Sequence, residues 1–304
     1  MKPKMTLQEM ISALASFWSD RGCVVHQPYD MEVGAGTMHP ETFFRSLGDD
    51  PWRVAYCQPS RRPADGRYGE NPMRVYKHFQ YQVVLKPSPD DVQDLYLASL
   101  EAVGIDPAVH DIRFEEDNWE SPTLGASGVG WQVTMDGMEI SQFTYFQVMG
   151  GHELRVIPVE LTYGLERICM FINDIRNIFD IPWARAPWHG GGIVPYGALR
   201  LRAEREQSAW CFRLADVEEH RRQFAVAERE ARRLLEEEGG PYLVPAYERA
   251  LEASHLFNVL DARGAFSVTE RQELIGRIRR LSVACAGAWL AAAAERDGDE
   301  EAGS

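Results

Sequence analysis

Residues 131–148, WQVTMDGMEISQFTYFQV, alternate between side-chain types on both sides of Asp136-Gly137. A period of two sends successive side chains to opposite faces of a strand. Asp-Gly is a favoured pair for a two-residue hairpin turn, because both positions need positive φ. These residues therefore predict a long antiparallel hairpin, and such a hairpin needs further strands beside it to be stable. CVVHQ (23–27), WRVAYCQ (52–58), HFQYQVVLK (78–86) and LRVIPVEL (154–161) have the character of strands. Helical spacing intervenes twice. Thr6 and Glu9 form a capping box ahead of Leu7, Met10, Ile11, Leu14 and Trp18, with Gly22 at the stop. Val92, Leu95, Tyr96, Leu100 and Val103 share one face of a second helix that ends at Gly104.

The pattern changes near residue 184. ARAPWHGGGIVPYG is a Pro/Gly-rich connector, and the chain beyond it is rich in Ala, Glu, Arg and Leu, without convincing strands. It predicts three or four helices broken at EGGPYLVP and DARGAFS. The fold class is α+β: an antiparallel sheet flanked by helices over 1–185, a connector over 186–203, a helical domain over 204–296 and a disordered tail over 297–304.

No run approaches the roughly 18 apolar residues of a membrane span, and the N-terminus lacks the apolar core of a signal peptide. The five cysteines are dispersed and odd in number, which fits reduced thiols in the cytoplasm better than disulfides or a zinc site. A net charge of −14 disfavours unaided nucleic-acid binding. Against that charge, QPSRRPADGRYGENPMR (58–74) holds four arginines and two acids between two strands. Converging guanidinium forks suit a polyphosphate. There is no Walker A lysine and no GxGxxG after a strand, and HGGG at 189–192 is not accompanied by a GxSxG elbow. In VELTYGLERICMF (159–171), a strand carrying Glu160 runs through Gly164 into a helix with Arg167 in its first turn. Backbone dipoles favour an anion there.

Taken together, the arginine loop and TYGLER resemble motifs 2 and 3 of class II aminoacyl-tRNA synthetases. DMEVGAGTMHP, HDIRFEEDNWESPTLGA, QFTYFQ and VLDARGAFSVTER extend the likeness. Over roughly residues 6–285 the chain is similar to the alpha subunits of the bacterial heterotetrameric glycyl-tRNA synthetase. The resemblance implies a six- to seven-stranded antiparallel sheet followed by helices, and activation of glycine with ATP and Mg²⁺ to glycyl-adenylate. The glycyl group then passes to tRNA(Gly), which is recognised mainly by a separate beta subunit. The alpha chain would be a homodimer within an α2β2 assembly. By position, Arg61 is expected on the α-phosphate and Arg167 on the γ-phosphate. Phe79 is expected to stack on adenine, with Tyr81 as the alternative if the register differs, and Arg67 and Glu70 to contact the nucleotide at the loop tip. Glu160 is expected on the glycine ammonium, with Trp119, Trp131 and Thr162 limiting the side-chain space.

Three departures accompany the likeness. Where the family has a second carboxylate across the hairpin from Glu139, this chain has Gln132; a carboxamide coordinates Mg²⁺ weakly. The family's GAWGLGW is GASGVGW here, with Ser127 in place of tryptophan. HQNEVEQS has become LRAEREQS at 201–208, keeping Glu204, Glu206, Gln207 and Ser208. These changes leave two further readings open: a stand-alone paralogue that hands an aminoacyl-adenylate to another acceptor, and a catalytically inactive binding subunit.

Overall fold

A computed structural model describes residues 4–303, with side chains as far as Glu295. In chain order the elements are α1 (Leu7–Ser19), β1 (Val24–Val25), α2 (Pro40–Ser46), β2 (Trp52–Arg61), β3 (Lys77–Lys86) and α3 (Val92–Ala102). There follow β4 (Ile112–Glu116), β5 (Trp119–Ser121), β6 (Ala126–Met135), β7 (Met138–Met149), β8 (His152–Glu153), β9 (Val159–Gly164) and α4 (Leu165–Ile172). A two-stranded ribbon, β10 (Pro182–Arg185) with β11 (Ile193–Pro195), leads to α5 (Tyr196–Ala209), α6 (Val217–Glu236), α7 (Leu243–Ala262) and α8 (Val268–Gly303). No helix among the described residues is long and apolar enough to cross a membrane.

The sheet runs β1-β2-β3-β9-β7-β6-β4, with β5 and β8 attached to β6 and β7. Only the short β1 pairs in parallel; the other pairings are antiparallel. Asp136 and Gly137 have φ of 50° and 82°, so the expected hairpin turn is present. The capping box is closed on both sides, Glu9 N–H donating to Thr6 and Thr6 N–H to Glu9.

One sheet face is apolar. Tyr81, Val83, Val133, Phe143 and Leu161 pack there against α1, α3 and α4 in a single core. Burying a Leu or Phe of this kind contributes about 1.5–3 kcal/mol. The other face has a second apolar core at one end, where Phe43, Phe146 and Met149 meet Tyr247 of α7 and Ala286 of α8. The sheet and the C-terminal helices thus share a core, although the sequence describes them as consecutive units.

The connector and the tail differ from expectation. α5 begins at Tyr196, inside the Pro/Gly-rich stretch, because Tyr196 is buried against Phe179 and Trp183 and anchors the helix early. Residues 297–303 continue α8; Ala291–Ala294 lead into them, and alanine is the strongest helix former. Ser304 lies outside the described residues.

Candidate active site

Away from the shared core, the second sheet face is polar although it is covered. A rung of paired residues crosses six strands: Tyr56, Gln82, Thr162, Gln142, Gln132 and Glu115. Alternation explains this. HFQYQ and VELTYG put aromatic and aliphatic residues on the apolar face and His, Gln, Glu and Thr on the other, and in SQFTYFQ Gln142 and Thr144 face the floor side while Ser141 and Phe143 face the apolar core. Over this floor lies a cleft of about 620 Å³, the size of a small-molecule site. Arg62, Arg67, Arg74 and Arg167 line it, with His78, Gln80 and Glu139.

The arginine loop is held by α5. Glu204, 5% exposed, accepts the Arg67 N–H at 2.8 Å and the Tyr76 N–H at 2.7 Å. Ser208 Oγ accepts the Tyr68 N–H at 3.0 Å and donates to Glu204 at 3.2 Å. A Cβ on Gly66 would lie 2.7 Å from that Oγ, so loop and helix touch closely. Both clamp residues belong to the segment whose neighbours depart from the family pattern, and their retention was the available signal.

Arg61 requires correction. It does not line the cleft; it pairs with Glu32 on the other side of the loop stem. Ser60 of the same strand faces the floor and donates to Gln80, so the next residue points away and Arg62 returns to the cleft. A one-residue offset exchanges the two faces. Arg67 does line the cleft, its Nη1 donating to the Ala64 and Gly66 carbonyls. Glu70 lies on an outer hollow beside Tyr68 and Phe212, apart from the main cleft.

The same alternation corrects Phe79. It packs edge-on to Trp183 at 5.5 Å with Arg200 over its ring, on the apolar side with Tyr81. His78 is the ring that β3 presents to the cleft. Burial, then Arg62 and Arg167, lower its pKa to about 3, so the imidazole is neutral near pH 7. Glu166, absent from the sequence reading, is 4% exposed and accepts the Phe79 N–H at 2.8 Å and the Tyr196 hydroxyl at 3.0 Å. It joins β3, α4 and α5, and burial pushes it up to about 7.

Arg167 lines the cleft. Its Nη1 donates to Glu139 Oε2 at 2.8 Å and to the Glu139 carbonyl at 3.1 Å. Thr134 faces Glu139 as the turn requires, but a bulge follows, and Gln132 pairs with Gln142. Gln132 Nε2 donates to Glu115 Oε2 at 3.0 Å, so Gln132 and Glu139 have different partners. Among the described residues there is no group of three His, Cys, Asp or Glu arranged to hold a metal. Of the three carboxylates that line the cleft, Glu166 is tied to the Phe79 amide and the Tyr196 hydroxyl and Asp65 pairs with Arg74, which leaves Glu139; this set fits Mg²⁺ carried on substrate phosphates and does not fit a cage made by the protein alone.

Beside Thr162 of the cleft lining, Glu160 is 2% exposed and accepts from Thr37 Oγ1 at 2.8 and 2.9 Å and from Gln82 Nε2 at 3.1 Å. Burial raises its pKa to about 7, against the hydrogen bonds from Thr37 and Thr162. Gln82 Oε1 is buried without a partner, an acceptor beside a carboxylate. The turn Gly36–Met38 packs against these residues; a Cβ on Gly36 would come 2.3 Å from Gln82 Cγ. Thr162 lines the cleft, and Trp119 packs on Phe146 at 5.3 Å at the edge of the second core. Trp131 lies on the opposite face with Phe114 and Phe143, away from the cleft, which corrects its proposed place in the pocket wall.

Guanidinium forks gather over an antiparallel sheet, with neither a P-loop nor a dinucleotide fold, as the likeness to class II aminoacyl-tRNA synthetases implies. A family model described as glycyl-tRNA synthetase alpha subunit matches residues 7–294. The chain is 54% identical over 293 residues to the glycine--tRNA ligase alpha subunit of Coprothermobacter proteolyticus, covering 96% of this chain and 97% of that one. Two solved structures of the pyrrolysyl-tRNA synthetase from Desulfitobacterium hafniense are similar at TM-scores of 0.42 and 0.40 and 16% identity. They cover 59% of this chain and 72% and 73% of theirs. The chain belongs to the glycyl-tRNA synthetase alpha subunit family, and so is a subunit of an aminoacyl-tRNA ligase, an activity that consumes ATP.

Proposed function

We infer that the cleft binds ATP and glycine and joins them as glycyl-adenylate, releasing pyrophosphate. The observation that carries this reading is the meeting of four cleft arginines with a buried carboxylate on one polar sheet face. Arg62 is the residue for the α-phosphate, where negative charge grows as the glycine carboxylate attacks phosphorus in line. Arg167 exchanges Glu139 for the γ-phosphate, and Glu139 is then free to hold Mg²⁺. When bound, Mg²⁺ would neutralise phosphate charge. His78, flat and neutral, supplies a stacking surface for the adenine without adding a cation. Arg67 closes over the triphosphate from the loop.

Glu160 takes the glycine ammonium. A carboxyl poised at about 7 ionises readily when a cation arrives, and the unpartnered Gln82 Oε1 accepts a second N–H. The Gly36–Met38 turn leaves little room for a substrate side chain, and wall contact can reject a methyl group even though each methylene is worth only about 1–3 kcal/mol. The acceptor is tRNA(Gly), brought mainly by a beta subunit to an alpha homodimer in an α2β2 assembly in the cytoplasm. Glycine-dependent ATP–pyrophosphate exchange, run across all amino acids, tests the reading. Exchange with glycine alone supports it; exchange with none, under any divalent metal, favours the inactive-subunit reading.

A further inference from the structure

Behind the arginine loop, a second cavity of about 80 Å³ lies between the loop stem and α5. Arg61, Lys77 and Arg200 line it, with the ring of Tyr76; Val75 borders both this cavity and the cleft. The acids near these cations are already engaged. Glu32 pairs with Arg61 and lies 3.3 Å from His255 Nε2. Both Glu204 oxygens accept backbone N–H groups. Glu166, which also feels Arg200, accepts from Phe79 and Tyr196. Arg200 lies over the Phe79 ring at 5.3 Å. Half-buried Lys77 is lowered to about 8, first by burial and then by Arg200 and Arg61. The Tyr76 hydroxyl, on a residue 3% exposed, lies against the Arg61 guanidinium and donates to no acid.

We propose that this cavity is an oxyanion site for a single phosphate group, bracing the arginine loop from the side opposite the cleft. The residues that line it bring two guanidinium forks, an ammonium and the Tyr76 hydroxyl, and the one carboxylate among them, Glu204, is already taken by the Arg67 and Tyr76 amides. Its volume suits one tetrahedral oxyanion and is far below that of a site for a nucleoside. An occupant would bridge Arg61 and Lys77 on the two loop stems to Arg200 on α5. Free orthophosphate and one end of pyrophosphate share this chemistry.

The probe is inorganic phosphate, titrated against chloride at matched ionic strength while the melting midpoint of the whole chain is followed. The wild type should be stabilised by phosphate. Arg200→Leu and Lys77→Met should each weaken the apparent affinity at least tenfold, whereas Arg167→Ala, which alters only the cleft, should retain it. An unchanged response in Arg200→Leu, or a response lost only in Arg167→Ala, would overturn the site. Arg200→Leu is a change on a partly exposed helix position and keeps the test open if Lys77→Met fails to fold. A pyrophosphate titration that also depends on Arg200 would support the site and add the reaction product as a source. Dependence with orthophosphate alone would support the free ion. Hydrogen exchange at the Arg67 and Tyr76 amides should slow with phosphate; unchanged exchange would overturn the bracing role.

Discussion

Arg61 and Arg62 are neighbours in sequence and lie on opposite sides of the loop stem, so they should respond differently to truncation. Arg62→Ala should lower glycine-dependent exchange by about 10²–10³-fold, the scale of one preorganised charge contact in a transition state. Arg167→Ala should match it, and Arg61→Ala should cost less than about tenfold. Equal losses at 61 and 62, read in the same exchange assay, would show that both reach the nucleotide. Glu160 makes a second residue-scale prediction. Its folded pKa of about 7 lies above the ordinary carboxylate value. Between about pH 4.5 and 7 the folded carboxyl therefore keeps a proton that the unfolded one releases. The stability this confers is complete at the acid end and is lost as pH rises through 7, on the order of 2–3 kcal/mol for one such group. Buried neutral His39 and His78 oppose this loss below about pH 6.5, so the test is a difference: from about pH 5 to 7.5 the urea midpoint of Glu160→Gln should fall less, or rise more, than that of the wild type, while the KM for glycine rises. Glu166, shifted in the same direction, adds a contribution of the same sign. A slope unchanged in Glu160→Gln would remove Glu160 as its source.

The strands and α5 decide where those residues stand. β3 carries His78, Gln80 and Gln82 to the polar floor and Phe79, Tyr81 and Val83 to the apolar core, a division already present in the alternation of HFQYQVV. The arginine loop has no ladder of its own and depends on Glu204 for two backbone bonds. Hydrogen bonds to a charged group are each worth about 1.5–3 kcal/mol. Glu204→Ala should accordingly destabilise the chain by about 3 kcal/mol and raise the KM for ATP more than it lowers kcat, because the loop is loosened while its arginines remain. Denaturant unfolding together with exchange kinetics checks both parts. A lower kcat at constant KM would mean that the clamp acts on the chemical step.

The helical unit and the sheet are one structure by packing. Tyr247 stacks on Phe43 at 4.8 Å and donates to the Met38 carbonyl at 2.9 Å, beside the turn that closes the glycine end. A Cβ on Gly150 would lie 2.3 Å from Ala286 Cβ, so sheet and α8 meet without a gap. A chain cut after residue 185 would expose this core and lose Glu204 as well. It should aggregate or remain partly unfolded, and a soluble, cooperatively melting fragment would show that the sheet is autonomous. At the same scale, the net charge of −14 opposes phosphate backbones, since nonspecific affinity comes mainly from Lys and Arg contacts. The purified chain should bind tRNA weakly near physiological salt; tight filter binding without a partner would contradict this.

The features legible in the sequence were those set by neighbours along the chain. The Asp136-Gly137 turn, the Thr6–Glu9 box, the breaks after α6 and α7 and the strand-to-helix step at Gly164 rest on local backbone preference and periodicity, and each occurs in the structure. The family likeness was legible too, because its motifs are short and fixed in order. Which of two adjacent arginines enters the cleft depended on a strand's phase against a sheet buried on both sides, whereas the rings of His78 and Phe79 were already separated by the alternation of HFQYQVV. Composition does not reveal that phase when both faces are covered. The Glu204 clamp, the Glu166 junction and the core shared with α7 and α8 join residues many positions apart. Only tertiary packing brings such groups together, because a local pattern holds no information about which distant backbone amides or apolar faces will be left unpaired.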